Sequence, residues 1–167
     1  MEIQSIDPFL EYFGKVRERT LRVARCIPQD RMDWTYAEGK FTFADLLRHL
    51  ASIERQMFAE NAQHHPSRYA GHGRELADGY ENVFEYMNRM HEESMAIFAK
   101  LTPADLASRC VTPAGVPIPV WKWLRSMVEH EIHHRGQIYM YLGFLGIPTP
   151  PIYGLTSEEV KARSVSE

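Results

Sequence analysis

The chain of 167 residues sets 19 Lys and Arg against 22 Asp and Glu, for a formal net charge of -3 and a pI near 6.2. Phosphate binding needs clustered positive charge to displace counterions, so this balance argues against nucleic acid as a partner, and no apolar run approaches the ~18 residues a membrane span requires. With 44% hydrophobic and 25% charged residues, the length suits a single domain over residues 1–167, large enough to bury a core without disulfides. Cys26 and Cys110 lie far apart and make no C-x-x-C pair, so free thiols are expected rather than a disulfide framework or a cysteine zinc site. The N-terminal MEIQSIDPFLEYFGK lacks the basic and apolar regions of a secretory signal, which points to a soluble, cytoplasmic protein.

Asp7-Pro8 predicts a helix start, an oxygen-bearing cap before a proline that suits the first turn. The helix runs to about Cys26, with Phe9, Phe13, Val16, Thr20, Val23 and Ile27 as its inner stripe and Pro28 as its stop. Thr42-Phe-Ala-Asp45 is a variant capping box that opens a second helix over FTFADLLRHLASIERQMFAEN, its inner stripe Leu46, His49, Leu50, Ile53 and Met57. The breaker-rich HHPSRYAGHGRELADG, from His64 to Gly79, predicts a long crossover. A third helix is expected from about Tyr80 to Leu101, with Val83, Met87, Met90, Met95 and Phe98 apolar.

Prolines 103, 113, 117 and 119 around Ala114-Gly115 forbid a long helix there and leave room for a short hairpin near Val111 to Pro119. The fourth helix runs from Pro119 to about Leu145, where Gly146 and Pro148 signal its end, and a short polar tail follows Pro151. There is no internal repeat and no βαβ alternation. The expected fold is all-α, a four-helix bundle with a long connection between the second and third helices.

The stretch MVEHEIHHRGQIYMYLGFLGIP, Met127 to Pro148, packs three of the eight histidines into five residues. Residues four apart on a helix differ by about 40° in direction, so His130 and His134 share a face with Met127, Ile138, Tyr141 and Leu145. His49 lies on the inner stripe of the second helix, so three imidazoles from two helices point to one interior. A lone inward histidine is satisfied by one hydrogen bond; three are harder to satisfy, and one divalent cation would serve all of them. The residues alone leave both readings open, a metal site and a satisfied core. His133 falls at the rim, His64, His65 and His72 fit a solvated loop, and His91 is isolated.

His130-Glu131-Ile132-His133-His134 also spells the zinc-protease string H-E-x-x-H. The extended protease pattern would need Gly at 137 and His at 140, where the chain has Gln137 and Met140, and Glu131 is turned about 100° from His130. LLRHLASIER around His49, followed by HEIHHRGQIYMYLGFLGI, resembles the DinB-like superfamily of four-helix metalloproteins from Phe9 to Pro148, most specifically in H-x-x-x-H-R-G-Q. The resemblance implies that His49, His130 and His134 hold one divalent ion per chain, with water completing the site, and that Glu131 is not a protease base. Its characterised members include low-molecular-weight-thiol S-transferases and a thiol-dependent isomerase, so it implies a thiol cosubstrate and a small electrophilic substrate.

Zinc, nickel and iron all accept imidazole, and zinc or nickel is the expectation here. A metal-dependent hydrolase, or a metal-binding bundle without turnover, remains as an alternative. Arg135 and Gln137 either fix ligand geometry or a substrate carboxylate or are solvated, Gly136 suggests close helix approach, and Trp34, Trp121 and Trp123 belong to packing before they belong to a pocket. Apolar residues left on outer helix faces suggest a homodimer.

Overall fold

The computed structural model describes residues 2–164. Helix α1 spans Ile6–Ala24, a single 3₁₀ turn covers Gln29–Arg31, and α2 spans Phe43–Ile53, followed without a break by a π-turn at Glu54–Phe58 and by α3, Ala59–Ala62. After the crossover come α4 (Tyr80–Phe98), α5 (Pro103–Ala107), the strands β1 (Arg109–Val111) and β2 (Pro117–Pro119), α6 (Val120–Phe144) and α7 (Ser157–Arg163). The fold is the all-α, four-helix bundle, built from α1, the continuous α2 to α3 rod, α4 and α6. The strands form the short hairpin before α6, antiparallel with Cys110 opposite Ile118.

Local chemistry sets most boundaries. At α2 the Thr42 hydroxyl accepts from the Asp45 N–H at 3.0 Å while the Asp45 carboxylate accepts from the Thr42 N–H at 2.9 Å, the reciprocal capping box expected there. Helix α6 ends in a Schellman motif, with Gly146 at φ 67 and the Ile147 N–H bonded to the Leu142 carbonyl. At the first helix the expectation needs correction. The N-cap is Ser5, whose side chain makes no capping bond, and Asp7 lies inside the first turn, where its charge faces the positive end of the helix dipole. The polar tail also holds a helix, α7, opened by a Thr156–Glu159 capping box and buried nowhere along its length.

The π-turn alters which residues of the second rod face inward. Along it Glu54 and Phe58 are buried, while Ile53 and Met57 of the expected stripe are only partly buried against the same core. The crossover is strapped to α2 instead of floating in solvent. Buried Arg48 pairs with Asp45 at 2.6 Å and donates to the carbonyls of His72 and Ala77, and Ser52 donates to the Gly71 carbonyl at 3.0 Å.

Apolar burial falls into two clusters, one at each end of the bundle. Val23, Phe43, Leu46, Leu47, Leu50, Met87, Ile138 and Leu142 belong to one, and Phe9, Phe13, Phe58, Phe98, Leu124 and Met127 to the other. Between them lies a polar waist, where Arg17, Glu54, Ser94, Glu131, His134 and Arg135 are all buried. No described helix is long and apolar enough to cross a membrane.

Candidate metal centre

Helices α2 and α6 pack side by side, and this brings the three expected histidines together at the waist. The His130 Nε2 lies 3.1 Å from the His49 Nε2 and 3.0 Å from the His134 Nε2. Nitrogens about 2.0–2.1 Å from a tetrahedral metal stand roughly 3.3 Å apart, so these two separations are near what a metal requires, and all three donor atoms lie within 4.8 Å of one another. Among the described residues this is the one group of three or more His, Cys, Asp or Glu whose donor atoms could hold an ion together.

Hydrogen bonding alone serves the cluster poorly. The Gln137 Oε1, an acceptor, sits 2.6 Å from the His134 Nδ1, which puts that ring's proton on Nδ1 and leaves Nε2 a bare lone pair. The His49 Nδ1 lies 2.7 Å from the Tyr69 hydroxyl, which in turn lies 3.2 Å from the His72 Nδ1. Either direction satisfies that chain: His49 donates to Tyr69 and Tyr69 to His72, or His72 donates to Tyr69 and Tyr69 to His49. In the first case the His49 Nε2 is a second lone pair, and the one proton the His130 Nε2 could carry cannot serve both neighbours; in the second the His49 proton takes the His130 lone pair and the His134 Nε2 is left without a donor. A cation accepts all three lone pairs at once, so the residues present fit a divalent metal.

The electrostatics agree with that fit. Burial pushes His130 down to about 3, with His134, His49 and His133 adding to the effect. His49 falls to about 4, mainly through burial and then through His134 and His72. His134 is also lowered by burial, against a partly opposing hydrogen bond that it donates to Gln137. All three rings are therefore neutral at pH 7, the form a metal ligand must take.

Gln137 thus orients His134, one of the two roles open to it from sequence. Replacing Gln137 by Leu is expected to weaken metal binding about 10- to 100-fold, as loss of a ligand's outer partner does, without unfolding the chain. Competition with a chelator measures it.

Other sequence expectations divide. His133 is exposed at the rim, its ring 5.0 Å from that of His134. Glu131 turns away from the cluster to α1, where its Oε2 accepts from the Arg17 NH2 at 2.9 Å, so it does not occupy a protease base's place. Arg17 also pairs with Glu54, whose other oxygen lies 2.9 Å from the His91 Nδ1, so His91 is half-buried and paired instead of isolated. Burial opposes the charge on Arg17, and Glu131 and Glu54 outweigh it and raise its pKa.

Arg135 is neither solvated nor at the ligands; it is buried, with NH1 3.4 Å from the Val16 carbonyl. The close approach expected at Gly136 is absent, since a Cβ there would meet nothing within 4 Å. His72 was expected in a solvated loop, yet its ring packs tilted on Phe41, centroids 4.1 Å apart, and reaches the centre through Tyr69. Trp34 packs on Phe43 and Tyr141, and Trp123 on Phe58, each partly buried against the core. Tyr69 was missed altogether, because a loop residue carries no periodicity to place it.

A cleft of about 810 Å³ opens beside His134, bordered by Lys40, Phe41, His133, Gly136 and Gln137. A second groove, of about 740 Å³, runs between the start of α1 and α6 and is lined by none of the histidines.

The comparisons with known proteins agree with one another. Residues 12–138 match the model of the DinB superfamily. Among solved structures, a DinB-like protein from Bacillus subtilis superposes with a TM-score of 0.71 at 21% identity, over 89% of this chain and 98% of that one. A DinB-like protein from Bacillus cereus gives 0.73 at 17% identity, over 89% and 97%. A search of curated protein sequences returned no match.

Proposed function

Because the chain belongs to the DinB superfamily, we propose that it binds one divalent ion, zinc or nickel, through His49, His130 and His134. We propose further that it uses the ion to transfer a low-molecular-weight thiol onto a small electrophilic substrate. The observation that carries this reading is the convergence of three Nε2 atoms whose lone pairs no tautomer assignment can satisfy.

A divalent ion held by neutral imidazoles keeps its full charge and lowers the pKa of a thiol or water beside it. The residues around the cluster decide which of the two is favoured. A free thiol ionises near pKa 8.5 and water near 15.7, so the thiol needs much the smaller shift. No carboxylate borders the cleft, and Glu131 is committed to Arg17, so general-base help for water is lacking at the described residues lining it. Gln137 holds His134 in the tautomer that presents Nε2, Tyr69 is placed to accept the Nδ1 proton that does the same for His49, and Phe41 packs against the His49 and His72 rings. The reading includes a homodimer in a reducing cytoplasm, where thiols are abundant and Cys26 and Cys110 stay free.

The test combines a thiol assay and a hydrolysis assay on metal-loaded wild type and His134→Ala. Glutathione or bacillithiol is offered monochlorobimane, so that a C–S bond forms as the C–Cl bond breaks, chloride leaves and the thiol proton passes to solvent. Conjugation above background is expected in wild type and only background in the variant. Thiol-independent hydrolysis of a nitrophenyl ester that disappears in His134→Ala would assign a hydrolase instead. Inactivity in both assays at full metal occupancy would leave a binding bundle without turnover.

A further inference from the structure

The interior of an α-helix is an unfavourable place for glycine, by about 1 kcal/mol relative to alanine. The usual compensation is close contact with another backbone, and Gly136 has none: a Cβ there would meet nothing within 4 Å. The open space over it is the cleft beside His134. Its volume of about 810 Å³ falls within the usual range for small-molecule sites.

The walls of this cleft are chemically one-sided. Tyr36, Phe41, Met140 and Tyr141 make an apolar, largely aromatic flank, and the Tyr36 and Tyr141 rings meet edge to face at 5.3 Å. Tyr36 and Met140 leave 50% and 59% of their surface exposed, which gives the flank apolar area the fold itself does not use. The polar end is formed by His133, His134 and Gln137. Lys40 is the one charged lining residue, no Asp or Glu faces it across the cleft, and its ammonium has no ion-pair partner among the described residues.

We propose that this cleft seats the substrate, and that it selects a small molecule with a flat apolar body and an anionic end such as a carboxylate. Gly136 sets the depth of the cleft and Lys40 its preference for negative charge. The assignment rests on the metal-site reading above, because it takes His134 as the reactive end. Aromatic side chains favour flat ligands through offset or edge contacts, and a lysine without a partner lowers the energy of an anion placed beside it.

Calorimetric titration with naphthoate and with neutral naphthamide tests the proposal, on protein both loaded with zinc and stripped of it. Naphthoate is expected to bind in both states and more tightly than naphthamide. Lys40→Met should weaken naphthoate about fivefold, the upper end for a solvent-accessible charge pair, and leave naphthamide unchanged. Gly136→Leu should abolish binding of both probes. Gly143→Leu, on the same helix, equally open and off the cleft, should change neither.

Should the leucine variant be insoluble, Gly136→Ala serves: it is expected to raise the Tm and still weaken both probes. Failure of wild type to bind naphthoate, equal affinity for the two probes, or unchanged binding in the Gly136 variants would overturn the proposal. Elemental analysis of each sample keeps the two readings apart. Protein that takes up no metal refutes the metal site, while titration of the stripped protein still judges the cleft.

Discussion

Replacing Arg17 by methionine is expected to cost about 3–5 kcal/mol, the penalty for removing one partner of a buried ion pair. In a chain of this size that is roughly 10 °C in Tm. Arg17 is 3% exposed and ties α1 to both rods that carry the histidines, through Glu54 on the π-turn and Glu131 on α6. Its removal leaves two carboxylates buried, and among the described residues the Glu131 Oε1 has no hydrogen-bond partner even with Arg17 in place. The triple variant Arg17→Met, Glu54→Gln, Glu131→Gln separates charge from packing. It should recover much of the loss, because uncharged side chains of similar volume carry no comparable desolvation penalty. Thermal denaturation of the three proteins measures it, and a single variant as stable as wild type would show that the pairing contributes nothing net.

His130→Ala is expected to abolish stoichiometric metal binding. His130 is the centre of the cluster, with both other Nε2 atoms within 3.1 Å of its own, so its loss removes a third of the ligand set and the ring that links the other two. The effect should exceed the about 10- to 100-fold expected for Gln137→Leu, which removes only an outer partner. Elemental analysis after dialysis is one measurement. The other is the stabilisation a bound ion gives, about 2.7 kcal/mol at a metal concentration a hundred times Kd, which should vanish in the variant. His65→Ala is the control: its ring contacts Glu60 and lies outside the cluster, so full occupancy is expected. Full occupancy in His130→Ala would remove the proposed site.

The parts of this architecture that were legible in advance are those with a helical period or a cap. Phe9, Phe13, Val16, Thr20, Val23 and Ile27 are all buried as their spacing predicts, and Thr42 with Asp45 starts α2. The histidines at 49, 130 and 134 were legible for the same reason, since two lie a turn apart and the third sits between apolar neighbours. What escaped was whatever breaks or lacks a period. The π-turn is a local change of helical step with no mark in the residue types, and Glu54 and Phe58 are the buried positions there while Ile53 and Met57 are only partly buried. Tyr69 and His72 reach the centre from a loop, where only tertiary contact positions a side chain. A signal did exist for Arg17, four residues after Phe13 and three before Thr20 on the same face, and an inward arginine asks for buried carboxylates. Another existed for α7: Thr156 and Glu159 repeat the capping pattern of Thr42 and Asp45, without the apolar stripe that makes a helix conspicuous.

The polar waist has a consequence for how the molecule opens. Because the two apolar clusters share no continuous core, each end of the bundle is held by its own contacts, and the link between them runs through ion pairs and imidazoles. Amide exchange in the native protein would then divide into two cooperative units with separate opening energies, their border crossing each of the four long rods. An ion at His49, His130 and His134 lies on that border. By clasping α2 to α6 at the seam, it would merge the two units into one, so a single bound atom would set the range over which the whole bundle breathes together.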